Sequence, residues 1–164
     1  DAFARVAATF GEVHLVLAGP GKQGYIADLR RQAEALGIAG RTTFAGPLVG
    51  GAVTEAYRAA EIFVLPSLQE NFGIAIVEAM AAGCPVVVSD RLDLAGQIDE
   101  AEAGLVRPAT VDAFADALQV LLGEPSLGAR MGANGHRLVL ARYIWGPIAE
   151  ATVEAYRSVL EQAE

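Results

Sequence analysis

The chain has 164 residues and a formal net charge of −8, and this length is enough for one domain with a buried core. The negative charge argues against nucleic acid as a partner, because phosphates require a basic surface. No apolar run approaches the roughly 18 residues of a membrane span, so we expect no transmembrane segment. Cys84 is the only cysteine, which excludes an internal disulfide, and the two histidines lack metal-ligand spacing. We therefore expect no bound metal.

Strand-like apolar runs alternate with stretches of helical periodicity along the whole chain. The predicted helices cover residues 1–9, 22–36, 51–59, 74–82, about 94–101, a stretch after the capping residue Thr110, 126–141 and 147–162. The predicted strands cover residues 13–18, 41–46, 62–65, 86–88 and 104–108. This alternation predicts an α/β fold, Rossmann-like, with one parallel sheet covered by helices on both faces. Residues 1–164 are expected to form a single domain.

Some of these elements carry residues whose positions we expect from their spacing. The strand at 13–18 has a buried look, and the helix at 126–141 is weakened by Gly132 and Gly135. Asp93 is expected to cap the helix near 94–101. The inner faces of two other helices are predicted to comprise Tyr25, Leu29, Ala33 and Leu36 in one, and Ile148, Thr152, Ala155, Tyr156 and Val159, anchored by Tyr143 and Trp145, in the other.

The most informative stretch, residues 66–85, lies between the third and fourth predicted strands. Gly73 is placed to begin its short helix, Gly83 to end it as a left-handed cap, and Pro85 forbids resumption of the helix. Within the helix every residue except Glu78 is apolar, so we expect this carboxylate to be buried or nearly so. A buried charge requires a partner, and the stretch contains no Lys or Arg.

A ligand is one possible partner for Glu78, because a carboxylate accepts two hydrogen bonds from a sugar diol. Glu70 lies eight positions earlier, and the amides of Gly73 and Ile74 at the helix start attract phosphate. Together these groups describe a site for a nucleotide sugar. The alternative is that Glu78 pairs with an arginine elsewhere in a plain core.

The motif Pro-Ser-x-x-Glu-x-Phe-Gly, followed after four residues by Glu-Ala-Met-Ala-x-Gly-x-Pro-Val-Val, resembles the Glu–x7–Glu signature of retaining GT-B glycosyltransferases, most closely family 4. The resemblance spans nearly the whole chain and is to the C-terminal, donor-binding domain. It implies that Glu70 is the catalytic residue beside the donor sugar and that Glu78 binds the ribose hydroxyls. The other residues that it places at the donor are Asn71, Phe72, Gly73 and Ile74 near the diphosphate, Gly19 and Gly21 at its border, and Ala45, Gly46 and Pro47 near the base.

The resemblance implies transfer of a sugar from a nucleotide diphosphate sugar to an acceptor, with retention of configuration and without a cofactor or metal. The absence of an initiator Met, and first residues that read as the middle of a helix, predict a piece of a longer chain. The acceptor domain would then be a partner outside this sequence, and the piece alone is expected to be inactive. The expected location is the cytoplasm, or the cytoplasmic face of the membrane through the acceptor domain.

This sequence departs from the family pattern at two places. Residues 91–97 lack the Gly-Gly pair and the Pro-Glu of many members, and five strands are predicted where the family domain has six. If the family's strand order 3-2-1-4-5-6 applies, we expect the absent strand to be the first and central one, which in the family is followed by an Arg and a Lys. Two alternatives stay open: a non-catalytic Rossmann-like binding or assembly domain, and a nucleotide-sugar epimerase on the same scaffold.

Overall fold

The computed structural model describes residues 1–70 and 72–161, so the predicted site residue Asn71 lies outside the described residues. Strands and helices alternate as predicted, and among the described residues no helix is both long and apolar enough to span a membrane. The helices are α1 (Ala2–Thr9), α2 (Gln23–Ala35), α3 (Gly51–Ala59), α4 (Ile74–Ala81), α5 (Ala95–Glu100), α6 (Val111–Gly123), α7 (Pro125–Arg142) and α8 (Trp145–Glu161). The strands are β1 (Leu15–Ala18), β2 (Thr42–Gly46), β3 (Phe63–Leu65), β4 (Val86–Ser89) and β5 (Gly104–Arg107).

The strands form two parallel sheets, where the sequence predicted one. β1 pairs with β2, and β3, β4 and β5 form a second sheet with β4 in the centre. Within the described residues no strand joins β1 to β3. In the strand order 3-2-1-4-5-6 expected from the sequence, the break falls at the position of the first strand.

Helices cover both faces of the three-stranded sheet, as predicted. On β4, Val86 and Val88 face a core formed largely by α4 and α5, while Val87 faces a second core formed with α1 and α6. All three valines are fully buried, which is the pattern of a central parallel strand. This sheet and its helices are therefore the most buried part of the described chain, and α4 packs in its core.

The two-stranded sheet is much less covered, and the predicted burial of its strand is wrong. Val16 on β1 is 54% exposed, and Leu17 is exposed as well. The inner face predicted for α2 is wrong in the same way, because Tyr25 and Leu36 are exposed and only Ala33 of that helix is buried. The physical reason is that, among the described residues, β1 pairs with β2 alone, so its side chains have few neighbours to pack against.

The inward face predicted for the last helix is also wrong. Trp145, expected as an anchor, is 86% exposed. Beyond Pro147 every described residue of α8 is exposed, which includes the five predicted to point inward: Ile148, Thr152, Ala155, Tyr156 and Val159. The apolar spacing is real, but no described element of this chain lies over that face.

The cap at the start of α5 differs by one residue from the prediction. Leu94, with a backbone that is already helical, is the N-cap, where Asp93 was expected. The chain turns at Leu92, whose carbonyl accepts the amide of Ala95 at 3.0 Å. Leu92 and Leu94 are both buried, so apolar packing sets the start of this helix.

Gly132 and Gly135 permit a close approach between α7 and α4. A Cβ atom at Gly132 would lie 2.0 Å from the carbonyl oxygen of Gly83, and one at Gly135 would lie 3.0 Å from Cγ of Met80. Glycine costs helix propensity, as the sequence indicated. Here it permits α7 to press against the end of α4 and its cap, which fixes the helix that carries the candidate site.

Candidate functional site

The start of α4 is built as the sequence predicted. Gly73 is its N-cap in the left-handed region (φ 69°, ψ 53°), and Gly83 follows its end with φ 80°. A Cβ at Gly73 would lie 2.8 Å from Cδ1 of Ile76, the end of a flexible side chain, so the backbone angle is what requires glycine here. The carbonyl of Gly73 accepts the Ile76 amide at 2.8 Å. The amides of the residues before Ile76 thus face the open end of the helix.

Glu70 lies beside this helix start. It is half-buried, and its backbone forms an isolated parallel bridge with Leu92 beyond the end of β4. Its Cγ atom lies 3.4 Å from the position that a Cβ of Gly73 would occupy. The loop after β3 therefore brings the Glu70 side chain to the N-terminus of α4, at the carboxyl edge of the sheet where ligands bind in such folds.

Glu78 is exposed, so the prediction that its carboxylate is buried was wrong. Ile76, Ala79 and Met80 form the buried face of α4. Ile74 and Glu78 are four residues apart and share the opposite face, where Ile74 is 64% exposed. The uniform apolar composition of the helix concealed this division into two faces.

The side-chain partner of Glu78 is a tyrosine that the sequence analysis did not place in the site. The Tyr57 hydroxyl, on α3, donates to Oε2 of Glu78 at 3.3 Å. Burial, followed by the negative charge of Glu78 and this hydrogen bond, raises the pKa of Tyr57 to about 12. The Tyr57 ring also packs edge-on against Phe63 with centroids 5.6 Å apart. Tyr57 fits the helical periodicity of α3, so the sequence carried no signal for its role beside Glu78.

The loops after β1 and β2 meet as a second group. The amide of Gly19 donates to the carbonyl of Gly46 at 2.8 Å, and both glycines have positive φ angles (137° and 69°). Ala45 and Pro47 are exposed beside this contact. Gly21 lies at the entry to α2, where an added Cβ would meet the Ile26 side chain at 3.1 Å. The structure thus joins Gly19 to Gly46 and leaves the surface around them open.

The predicted residues therefore fall into two groups at the carboxyl ends of parallel strands. Glu70, Phe72, Gly73, Ile74 and Glu78 cluster at α4, and the glycine loops cluster at β1 and β2. The helix α3 follows the second group along the chain and carries Tyr57, which contacts the first.

The loop before α4 also makes an aromatic contact that the sequence analysis did not predict. Phe72 packs edge-on against Tyr143, with ring centroids 5.6 Å apart and an interplanar angle of 74°. The Tyr143 hydroxyl donates to Oε1 of Gln97 at 2.6 Å, and Nη1 of Arg142 donates to the same oxygen at 3.1 Å. Burial raises the pKa of Tyr143, and the nearby Arg142 charge opposes this shift. These contacts of Tyr143 are with Phe72 and Gln97, and neither residue lies in α8, the helix that it was predicted to anchor.

At the end of β4, a buried serine side chain hydrogen-bonds to the backbone two residues later. Ser89 is fully buried, and its Oγ accepts the amide of Arg91 at 3.1 Å. The Arg91 side chain is exposed. Across residues 1–70 and 72–161, no three His, Cys, Asp or Glu side chains are grouped as metal ligands would be.

Comparison with known proteins gives a consistent family. The sequence profile of the family described as Glycosyl transferases group 1 matches residues 1–138. An uncharacterized glycosyltransferase of Methanocaldococcus jannaschii is 35% identical over 149 residues, covering 90% of this chain and 37% of that protein. The phosphatidyl-myo-inositol mannosyltransferase of Mycobacterium leprae is 35% identical over 161 residues, covering 97% of this chain and 41% of that protein. The chain thus spans less than half the length of these curated relatives.

Solved structures show the same fold. The sucrose-phosphate synthase from Thermosynechococcus elongatus superposes with a TM-score of 0.84 at 28% identity, over 98% of this chain and 42% of that one. The Anabaena HepE protein, solved in complex with UDP and glucose, gives a TM-score of 0.83 at 22% identity, over 96% of this chain and 44% of that one. The α/β architecture with parallel sheets flanked by helices is therefore that of GT-B glycosyltransferases.

Proposed function

This chain belongs to the glycosyl transferases group 1 family, and we propose that it supplies the donor site of a retaining enzyme of family 4. The reaction is transfer of a sugar from a nucleotide diphosphate sugar to an acceptor. The observation that carries the proposal is the left-handed Gly73, which begins α4 directly beside the Glu70 side chain. An open helix N-terminus next to a carboxylate suits a phosphate joined to a sugar.

In this proposal the diphosphate lies at the start of α4. The amides near Phe72, Gly73 and Ile74 donate to its oxygens, and the positive end of the helix dipole favours its negative charge. As the sugar–phosphate bond breaks, charge develops on the leaving diphosphate, and the same donors stabilise it.

Glu78 holds the ribose diol, one turn along α4 from the phosphates. Its exposure supports this role, because an exposed carboxylate is accessible to a ligand and a buried one would require rearrangement. Tyr57 donates to Oε2 alone in the structure, which leaves Oε1 for the ligand hydroxyls. The loops at Gly19, Gly21, Ala45, Gly46 and Pro47 border the donor and its base.

Glu70 orients the donor sugar and acts as the catalytic carboxylate near the anomeric carbon. We propose no covalent intermediate and no metal or other cofactor for this chemistry. An acceptor domain elsewhere in the protein completes the active site, and the cytoplasm is the proposed location. The relatives support the reaction class: one is named a mannosyltransferase, and HepE was solved with UDP and glucose.

The test of the donor site is nucleotide binding by Glu78→Gln. Isothermal titration with uridine, guanosine and adenosine diphosphates should show that the full-length protein binds one of them. The variant should bind it about 10- to 150-fold more weakly, because hydrogen bonds to a charged group contribute about 1.5–3 kcal/mol. Its free energy of unfolding should stay within about 0.5 kcal/mol, because Glu78 is exposed.

The matched control is Glu100→Gln. Glu100 is also an exposed helical glutamate, but it ends α5 near the amino end of β5, away from the carboxyl edge where the site lies. Its variant should bind as the wild type does. Equal affinities for wild type, Glu78→Gln and Glu100→Gln would refute the ribose role.

The rival hypothesis of a non-catalytic domain requires an activity measurement. Glu70→Gln in the full-length protein should abolish transfer from the nucleotide sugar while the free nucleotide still binds. If Glu70→Gln still binds nucleotide and leaves the products and rates of transfer unchanged, Glu70 is not the catalytic carboxylate.

A further inference from the structure

The loop that carries Glu70 and Gly73 has a second attachment besides its backbone bridge to Leu92. Phe72 lies between the two functional residues, and its ring is 47% exposed, so it is not held by the main core. The contact that fixes its orientation is the edge-to-face packing on Tyr143. An aromatic pair of this kind contributes about 0.5–1.5 kcal/mol beyond buried area, enough to bias a short loop between positions.

The Tyr143 ring is in turn held from two sides. Its hydroxyl donates to Oε1 of Gln97 at 2.6 Å, and its ring packs against the core that contains α4 and α5. Gln97 belongs to α5, whose neighbour Ile98 is fully buried in that core. The same Gln97 oxygen accepts from Arg142, so the amide has its orientation fixed by two donors.

We propose that Tyr143 is a positioning residue for the donor site. It fixes Phe72 and so holds the Glu70–Gly73 loop in the conformation that receives the sugar diphosphate. The chain of contacts runs from α5 through Gln97 and Tyr143 to Phe72. Tyr143 touches neither substrate nor reacting atoms in this proposal, which rests on the donor site proposed above.

A double-mutant cycle on nucleotide affinity tests this coupling. The full-length protein is titrated with uridine, guanosine and adenosine diphosphates as wild type, Phe72→Leu, Tyr143→Leu and the double variant. Each single variant should weaken the Kd about two- to tenfold, from the value of an aromatic pair. The double variant should bind nucleotide no more weakly than the weaker-binding single variant does, because both changes remove the same contact.

Two further variants separate positioning from general stability. Tyr143→Phe keeps the ring and should restore most of the affinity lost in Tyr143→Leu. Tyr156→Leu removes an exposed tyrosine of α8 and should leave affinity unchanged. If Tyr143→Leu does not fold, Gln97→Leu and Tyr143→Phe replace it. Gln97→Leu removes both hydrogen bonds to its side-chain oxygen and Tyr143→Phe removes one of them, so each should lower the affinity slightly, and adding Tyr143→Phe to Gln97→Leu should cause no further loss.

The outcomes distinguish the two proposals. The positioning role is overturned if the losses of affinity in Phe72→Leu and Tyr143→Leu multiply in the double variant. It is also overturned if these variants bind nucleotide as the wild type does. Either result leaves the donor site intact. A folded wild type that binds none of the three nucleotides overturns the donor site itself, and the positioning role with it.

Discussion

Gly132→Ala is the substitution that tests how α7 holds α4. The added methyl would lie 2.0 Å from the carbonyl oxygen of Gly83 and 3.0 Å from its carbonyl carbon. An ordinary carbon–oxygen contact is about 3.3 Å, so backbone must move by about 1.3 Å to accept it. The atom it strikes is main chain, which cannot turn away as the end of a flexible side chain can.

Two opposing terms set the size of the effect. Alanine in place of glycine inside a helix is favourable by about 1 kcal/mol. Overpacking a filled core costs about 1–3 kcal/mol, and a clash with rigid backbone belongs at the upper end of that range. The net expectation is a loss of about 2 kcal/mol in the free energy of unfolding, which lowers Tm by about 4–8 °C for a domain of this size.

Gly128→Ala is the matched control, because it changes the same residue type in the same helix. Gly128 is also buried, but its added Cβ would lie 3.7 Å from Cγ of Pro85, an ordinary contact. It should be neutral or stabilise by about 0.5–1 kcal/mol. Urea unfolding of both variants measures the difference, and equal stability of Gly132→Ala and Gly128→Ala would refute the close-packing argument.

Three other predictions concern titration and local stability. Tyr57 should ionise near pH 12 in the folded protein; because its pKa is raised above 10, the stability it contributes is present below pH 10 and is lost as pH rises toward 12. Ultraviolet titration beside Tyr57→Phe checks this, and an unchanged profile would contradict it. Burial raises the pKa of the Cys84 thiol to about 11, so disulfide reagents at pH 8 should react only after unfolding; fast reaction of the native protein would oppose this. Amide hydrogen exchange should be far slower at Val87 than at Val16, because the two-stranded sheet is less buried. Similar exchange rates would contradict a lower local stability of that sheet.

The sequence predicted those parts of the fold that depend on local backbone chemistry. Gly73 and Gly83 bound α4 because both positions require a left-handed backbone, which glycine adopts without strain. Thr110 caps α6, and its Oγ1 accepts the amide of Ala113 at 3.3 Å. Burial was less predictable, because it depends on what lies over a face. Val16 and Trp145 are apolar and exposed for this reason.

In the candidate site, too, local backbone positions were predictable and burial was not. Glu70 and Gly73 were placed correctly at the start of α4 because a motif fixes their spacing along one loop and one helix end. Glu78 was expected to be buried because its neighbours are apolar, yet the face it occupies lies outside the core. Its partner Tyr57 is 21 residues away, and Tyr143 is farther still. Contacts between such distant residues leave no pattern in a single sequence.

The packing of α7 links this core to the site, and Gly132→Ala therefore carries a second expectation. Gly83 ends the segment that begins at Gly73, so a displacement of its carbonyl by α7 is passed to an eight-residue helix with little length to absorb it. Glu78 sits near the middle of that helix and would move with it. Nucleotide affinity should fall in Gly132→Ala and persist in Gly128→Ala. A variant that loses stability but binds nucleotide as well as the wild type would instead show that the site does not depend on the contact between α7 and Gly83.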